Sequence, residues 1–315
     1  MARVVVVGCG AMGGVYSSFL ARGGHDVVVI EPSPAIFEAV TENGLTVIEP
    51  DGEERRTAID IRIDPASVTE QPDFLLFFVK SVHNAQAAKD TAHLIGPSTV
   101  VATVQNGMGH GEVFSTIVPA ERLIVGLTYQ GANTLAPGRI EHYRPGHTDV
   151  GPFLPGGDVS WAESFAALLN GSGLQASVVP EVRTAIWGKV LINSAYNPIA
   201  ALTGLSMAQL LTGTPAGDLA VATLRESAAV ALADGASVDA EHTLVTVAED
   251  QARMVAGTLP AGRPSMLLDV ENKRRTEIDS INGAVIARAE ALGVPAPLNG
   301  ALFALVKGLE ESWEQ

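Results

Sequence analysis

The chain of 315 residues is 47 % hydrophobic and 17 % charged, which is typical of a folded protein with two domains and excludes a disordered chain. Its formal net charge of −15 disfavours binding to nucleic acid and to anionic membrane surfaces. Cys9 is the single cysteine, so no intrachain disulfide can form. The sequence shows no basic leader and no long apolar run, which predicts a cytoplasmic protein. No spacing of His, Cys, Asp and Glu indicates a metal site.

The first predicted elements are a strand, a glycine-rich turn and a helix. The β-branched run Arg3–Val7 leads into a GxGxxG turn, and Ala11–Arg22 has the pattern of a helix. In such a turn the helix N-terminus offers free N–H groups to a pyrophosphate. The alternative is a helix-packing turn without a ligand. The predicted cofactor contacts in this turn are Gly8, Cys9, Gly10, Ala11, Met12 and Gly13.

A carboxylate ends the second predicted strand. His25–Ile30 is followed by Glu31, 23 residues after Gly8. A carboxylate there accepts hydrogen bonds from both hydroxyls of an adenosine ribose and repels a 2′-phosphate. The sequence therefore favours NAD(H) as the cofactor and keeps NADP(H) as the alternative.

The rest of the first half alternates strands and helices. The predicted strands are Leu45–Val47, Thr57–Ile63, Asp73–Lys80, Thr99–Val104, Leu123–Leu127, antiparallel strands within Gly138–Gly151, and Ala176–Pro180; the predicted helices are Pro34–Asn43 and Ser160–Asn170. Ligands bind beyond the carboxyl ends of parallel strands, so Lys80 is predicted to face the cofactor, with a surface lysine as the alternative. Asn106 follows the next strand and is predicted to lie against a flat ligand ring.

Strand patterns give way to helical ones after Pro180. We therefore predict an α/β fold, with an N-terminal Rossmann-type parallel-sheet domain over 1–180 and a C-terminal all-helical domain over 181–315. The predicted helices comprise one around Trp187–Pro198 that Pro198 ends or kinks, Leu210–Asp234, Val238–Val255, one opening near Ser265 and running through Gly283, and Leu302–Trp313.

One face of the first of these helices is polar. Lys189, Asn193 and Asn197 are spaced four residues apart, so they lie on one face of a mostly apolar helix. Lysine and asparagine are rarely buried without partners. This pattern predicts a polar ligand in a cleft between the domains, and the alternative is a stripe exposed to solvent.

Five motifs occur in the order known from one enzyme family: GCGAMG, VKS, QNGMG, WGKVLINSAYNP and RPSMLLDVENKRRTEIDSINGAV. On these motifs the sequence resembles the ketopantoate reductases (2-dehydropantoate 2-reductases) of the 6-phosphogluconate dehydrogenase-like superfamily. The resemblance implies that Lys189 is the general acid and that Lys80 lies beside the cofactor. It also implies that Glu277 helps to hold substrate and nicotinamide. The implied substrate contacts are Asn106, Asn193, Asn197 and Ser265.

The sequence departs from that family in two respects, one that concerns the cofactor and one that concerns the substrate. Glu31-Pro32-Ser33 stands where the family usually has a basic residue that binds the 2′-phosphate of NADPH. Met207 and Gly262 stand where the family often has asparagines, which predicts a less polar substrate pocket.

The predicted function is hydride transfer between a nicotinamide cofactor and a small anionic 2-keto or 2-hydroxy acid, as in the ketopantoate to pantoate step of pantothenate biosynthesis. One alternative is an NAD-dependent dehydrogenase of the same superfamily that acts on another hydroxy acid. A second, non-enzymatic alternative is a dinucleotide-binding redox sensor, which has no use for a proton donor such as Lys189. A homodimer is compatible with the sequence.

Overall fold

The structure is a computed structural model that describes residues 1–259 and 263–313. The chain divides into two units, and each has its own hydrophobic core. Met1–Gln105 and His110–Val182 form the first unit, whereas Asn106–Gly109 belongs with the residues from Arg183 onward in the second.

The first unit is built from strands and short helices. Its strands are β1 (Arg3–Val7), β2 (Asp26–Ile30), β3 (Leu45–Ile48), β4 (Glu54–Thr57), β5 (Asp60–Arg62), β6 (Phe74–Phe77), β7 (Val100–Thr103), β8 (Leu123–Thr128), β9 (Gly131–Ala136), β10 (Arg139–Arg144), β11 (Thr148–Pro152) and β12 (Ala176–Val178). Its helices are α1 (Ala11–Arg22), α2 (Pro34–Asn43), α3 (Asn84–Thr91), α4 (His110–Phe114) and α5 (Ser160–Gly171).

The main sheet has the strand order β12-β11-β8-β7-β6-β1-β2-β5. All neighbours from β5 to β8 are parallel, which is the order of a dinucleotide-binding Rossmann sheet and confirms the predicted fold class. Val7, at the end of β1, pairs with Ile30 on one side and Phe77 on the other. The carboxyl ends of these three strands therefore lie side by side, next to Gly8.

A second sheet, with the order β4-β3-β10-β9, packs on α1. The predicted strand Thr57–Ile63 is confirmed only over β5, because the chain leaves β4 after Thr57 and joins the main sheet at Asp60. Thr57 pairs with Leu45, whereas Asp60 pairs with Val28. The sequence analysis also did not predict β9, which pairs with β10.

The second unit is helical, as predicted. Its helices are α6 (Val182–Thr203), α7 (Pro215–Ala233), α8 (Ala240–Val255), α9 (Ser265–Glu271), α10 (Asn282–Leu292) and α11 (Pro297–Glu311). The α7 helix begins five residues later than predicted, because the side-chain amide of Gln251 donates to the carbonyls of Met207 and Leu210 and holds the preceding loop.

Pro198 does not end α6, which continues to Thr203. Proline has no N–H, so the carbonyl of Ser194 lacks its usual donor within the helix. The side-chain amide of Asn282 donates to that carbonyl at 2.9 Å and satisfies it. A contact with a distant helix therefore compensates for the missing bond.

The predicted helix begins at Ser265 as expected, but its continuation through Gly283 is wrong, because α9 ends at Glu271. Lys273 has a φ of +50°, and turns fill the interval before α10. The N–H and hydroxyl of Thr276 each donate to Glu310 Oε1 at 2.7 Å. This partner lies on α11, so local periodicity gave no sign of it.

Candidate active site

The glycine turn places three glycines in three different environments. Gly8 has a φ of +99°, and a Cβ on it would lie 2.9 Å from the backbone nitrogen of Val79. A Cβ on Gly13 would lie 1.9 Å from the carbonyl oxygen of Gly8, so this glycine lets α1 approach β1. A Cβ on Gly10 would meet no protein atom within 4 Å. The turn is therefore crowded at Gly8 and Gly13 and open at Gly10.

The N-terminus of α1 fits the pyrophosphate of a dinucleotide. Gly10 is the N-cap residue and provides no side-chain acceptor, and the first turn contains no acidic residue. The N–H groups of this turn and the positive end of the helix dipole are thus available to an anion. The open space over Gly10 would let a phosphate approach the backbone.

Glu31 stabilises the backbone of this turn through hydrogen bonds. The residue is 8 % exposed, and its carboxylate accepts hydrogen bonds from the N–H of Cys9 at 2.7 Å and the N–H of Ser33 at 2.9 Å. Sequence reasoning assigned Glu31 only to the ribose, whereas the structure adds this contact with the loop backbone. Burial, together with the nearby Glu31 carboxylate, raises the pKa of the Cys9 thiol to about 12, so this thiol stays protonated at neutral pH.

Lys80 lies half-buried in the turn after β6, at the carboxyl edge of the sheet. Close to it, the amide of Gln105 donates to the carbonyl of Val79 at 2.5 Å and to Asn84 Oδ1 at 2.9 Å. Thr103 donates in turn to Gln105 Oε1 at 2.7 Å. This buried network fixes the ends of β6 and β7, and the sequence analysis did not predict it. The only signal for the network in the sequence is a polar residue directly after a buried strand.

Three predicted catalytic residues form one hydrogen-bonded chain in the second unit. Lys189 Nζ donates to Asn106 Oδ1 at 2.7 Å. The amide nitrogen of Asn106 donates to Glu277 Oε2 at 3.1 Å. The amide of Asn106 is thus oriented by an ammonium group on one side and a carboxylate on the other. All three residues are half-buried, so they are held by the protein yet reachable from solvent.

Ser280, which sequence reasoning did not single out, holds Asn106 in place. Its hydroxyl donates to the carbonyl of Asn106 at 3.3 Å, and its own carbonyl accepts from the N–H of Met108 at 2.8 Å. Gly107 between them has a φ of +90°, and a Cβ there would lie 2.2 Å from the carbonyl oxygen of Ser280. Only glycine fits this contact, which is the physical reason for the first glycine in QNGMG.

Asn193 and Asn197 lie on the same face of α6 as Lys189, at the predicted spacing of four residues. Asn193 is half-buried and Asn197 is 7 % exposed. Neither side-chain amide has a hydrogen bond to residues 1–259 or 263–313. Both amides can therefore bond to a polar ligand.

The structure does not join every predicted residue to this chain of hydrogen bonds. Ser265 is the first residue of α9 and is exposed. Met207 is half-buried in the short helical turn Met207–Gln209 and packs against the core of the second unit. Gly262 lies outside the described residues.

Two further properties concern the described part of the chain only. It contains no group of three or more His, Cys, Asp and Glu side chains that could hold a metal ion. None of its helices combines the length and the apolar composition that crossing a bilayer requires.

The arrangement in the second unit suits reduction of a carbonyl group. An ammonium group can donate a proton to an oxygen on which negative charge develops, and the neighbouring amides can orient a polar substrate. The turn before α1 in the first unit suits a dinucleotide. These two features together are those of a nicotinamide-dependent oxidoreductase.

Comparison with known families gives two matches. The family described as "Ketopantoate reductase PanE/ApbA" matches residues 4–155. The family described as "Ketopantoate reductase PanE/ApbA C terminal" matches residues 181–310.

Individual proteins are similar over almost the whole chain. A 2-dehydropantoate 2-reductase of Halobacterium salinarum is 32 % identical over 305 residues, which are 97 % of this chain and 98 % of that protein. A PanE/ApbA family ketopantoate reductase from Ralstonia eutropha has a similar structure, with a TM-score of 0.86, 28 % identity and coverage of 99 % of this chain and 100 % of that one. A D-mandelate dehydrogenase in a ternary structure with NADH and anilino(oxo)acetate gives a TM-score of 0.91 at 26 % identity, covering 98 % of both chains.

Proposed function

This chain belongs to the ketopantoate reductase family, from which we infer that it is an oxidoreductase that interconverts a 2-keto acid and a 2-hydroxy acid with a nicotinamide cofactor. We propose ketopantoate as the first candidate substrate, because the curated relatives are named 2-dehydropantoate 2-reductase. The hydrogen-bonded chain from Lys189 through Asn106 to Glu277 carries the proposed reduction of a keto group.

In the proposed mechanism, the residues of this chain handle the proton and the orientation of the substrate. The cofactor, when bound, supplies the hydride that adds to the carbonyl carbon. As negative charge grows on the carbonyl oxygen, Lys189 donates a hydrogen bond and then its proton, so that the keto group becomes a secondary alcohol. Asn193 and Asn197 would orient the acid, and Ser265 would contact its carboxylate or distal hydroxyl. Glu277 would hold Asn106 in the orientation that Lys189 needs.

The glycine turn and Glu31 support NAD(H) as the cofactor. The carboxylate of Glu31 lies at the end of β2, next to the turn, and its negative charge opposes a 2′-phosphate. The D-mandelate dehydrogenase of similar structure was seen with NADH, which agrees with this preference. NADP(H) is the competing cofactor, and Lys80 is proposed to lie on the cofactor side with either of them.

A different hydroxy acid is the second candidate. The D-mandelate dehydrogenase has the highest of the TM-scores given above, and its name specifies an aromatic 2-hydroxy acid. Met207 also replaces a polar residue that the family often has. Both observations support a larger, less polar 2-keto acid as the alternative to ketopantoate.

The biological setting follows from the substrate. If ketopantoate is reduced, the reaction belongs to pantothenate biosynthesis. We further propose a cytoplasmic enzyme that acts as a homodimer. Light scattering of the purified protein tests the number of subunits.

The deciding experiment is a panel of 2-keto acids assayed with NADH and with NADPH. The panel includes ketopantoate and phenylglyoxylate, the keto form of mandelate, and the Lys189→Ala variant serves as the background control. We expect turnover of at least one keto acid, faster with NADH than with NADPH. Binding of the cofactor without turnover of any keto acid would instead support the redox sensor.

A further inference from the structure

The helix that carries Lys189, α6, lacks one of its internal backbone hydrogen bonds. Pro198 lies five residues before the end of α6, so the Ser194 carbonyl has no donor from the helix itself. Asn282 Nδ2 donates to this carbonyl at 2.9 Å. Both Ser194 and Asn282 are 0 % exposed, so water cannot replace this bond.

Asn282 is itself fixed in position. Its Nδ2 also donates to Asn299 Oδ1 at 2.9 Å, and Asn299 Nδ2 donates to Glu226 Oε1 at 2.9 Å. Asn282 Oδ1 is buried and has no hydrogen-bond partner within the described residues. The amide nitrogen is therefore the part of this side chain that makes its hydrogen bonds, and an oxygen in its place would face two acceptors.

The place of Asn282 in the chain connects this bond with the candidate active site. It is the first residue of α10 and directly follows the segment that contains Glu277 and Ser280. The other end of the bond is on α6, between Lys189 and Asn197. Lys189 and Glu277 contact opposite ends of the Asn106 amide, so a change in their spacing would break this chain.

We propose that Asn282 is a positioning residue: by supplying the donor that Pro198 lacks, it holds Lys189 on α6 in register with Glu277. This inference rests on the proposed function, in which Lys189 donates the proton. It assigns a role to Pro198 as well, since this proline leaves a carbonyl of α6 open to a bond from another element.

A double-mutant cycle tests the proposal. Pro198→Ala returns a backbone N–H to the Ser194 carbonyl, so the donor of Asn282 becomes redundant. Asn282→Ala removes the bonds to the Ser194 carbonyl and to Asn299, and it should lower kcat about tenfold in the natural background, a change of about 1.4 kcal/mol in the activation free energy. In the Pro198→Ala background the same change should lower kcat by less than about threefold. Equal losses in both backgrounds would overturn the proposal.

A matched control separates positioning from general destabilisation. Ser227 is 0 % exposed and belongs to the same buried network, since its hydroxyl contacts that of Ser194 at 2.8 Å and accepts from Asn299 at 3.1 Å. Ser227→Ala should lower Tm but leave kcat within about twofold, because the bond from Asn282 remains. A variant of Asn282 that loses Tm with unchanged kcat would show a purely structural role.

Two further measurements test the proposal if the protein shows no turnover or if a variant does not fold. The side-chain amide signal of Asn106 in NMR spectra should shift in Asn282→Ala and not in Ser227→Ala, whatever the substrate is. An unshifted signal overturns the positioning role, whereas absent turnover by the natural protein counts only against the proposed function. If Asn282→Ala does not fold, the double variant decides: natural kcat and an unshifted Asn106 signal in the folded double variant support the proposal, and a double variant that folds but stays slow, or that does not fold, contradicts it.

Discussion

Lys189 is the residue on which the proposed chemistry depends most directly. We expect Lys189→Ala to lower kcat at least about a hundredfold, the scale of general acid catalysis, with little change in cofactor affinity. Lys189→Arg should also be slow, because a guanidinium keeps the charge but does not give up its proton. Steady-state kinetics with saturating cofactor measures both effects. Lys89→Ala, an exposed lysine on α3, is the matched control, and full turnover by Lys189→Ala would exclude Lys189 as the acid.

Glu31 is expected to have two separable effects. Glu31→Arg should raise kcat/KM for NADPH relative to NADH, since the repulsion of a 2′-phosphate becomes attraction. It should also lower kcat/KM for both cofactors, because an arginine cannot accept from the N–H of Cys9.

Glu31→Gln is the control for this prediction. Its amide oxygen still accepts one hydrogen bond, so it should keep most of the Tm while losing the negative charge. An unchanged ratio of the two cofactors in Glu31→Arg would mean that residue 31 does not face the ribose.

At the level of elements, the strand–turn–helix unit predicts opposite outcomes for two similar substitutions. Gly13→Ala should lower Tm, because the new Cβ overlaps the carbonyl oxygen of Gly8 and overpacking costs about 1–3 kcal/mol. Gly10→Ala should keep its Tm, because its Cβ meets no protein atom within 4 Å. It should raise the Kd for NADH, since the methyl group occupies the space needed by a phosphate. Thermal melts and NADH titrations measure these effects, and unchanged NADH affinity in Gly10→Ala would place the pyrophosphate elsewhere.

The contact between α11 and the turn before α10 predicts a pH-dependent contribution to stability. Burial alone would raise the pKa of Glu310, but hydrogen bonds from Thr276 and Lys307 outweigh it and lower that pKa below its usual 4.5. A carboxyl with a lowered pKa in the folded state stabilises the protein above its unfolded pKa and loses this contribution as the pH falls through the folded pKa. Glu310→Gln should therefore lower Tm at neutral pH, and its difference from the natural protein should shrink at pH values below 4.5.

Glu311→Gln provides the comparison for this effect. Glu311 is exposed, and it neighbours Glu310 on the same helix. Its substitution should leave the Tm unchanged over the same pH range, since surface carboxylates contribute little. A Glu310→Gln variant that melts like the natural protein at neutral pH would mean that the Thr276 contact adds no stability.

At the scale of the whole molecule, the sequence correctly predicted those elements whose bounds are set by local residue patterns. The valine run before Gly8 and the periodicity after it gave β1 and α1 with the observed bounds. The start of β5 at Asp60 and the break after Glu271 depend on partners far along the chain, namely Val28 and Glu310. Such contacts leave no periodic signal in the residues they control.

In the candidate site, too, some residues could be predicted from sequence motifs and others depend on contacts that leave no signal in the sequence. Family motifs identified Lys189, Asn106 and Glu277, which the structure brings together although they are far apart in sequence. Ser280 and Asn282 could not be recognised from the sequence, because each bonds a backbone carbonyl of a segment far along the chain, Ser280 that of Asn106 and Asn282 that of Ser194. A polar residue within an apparently helical pattern gives no sign of such a partner.

The net charge of −15 predicts how salt affects the encounter with an anionic keto acid. At low ionic strength, carboxylates across the surface repel the substrate over the Debye length, which is about 30 Å at 0.01 M and about 8 Å at 0.15 M. Salt screens this long-range repulsion more strongly than the attraction to an ammonium group at contact distance. We therefore expect kcat/KM for the keto acid, at saturating cofactor, to rise as sodium chloride is raised across this range. The uncharged methyl ester of the same acid should show no rise, and a fall in kcat/KM for the free acid would mean that local positive charge dominates the encounter.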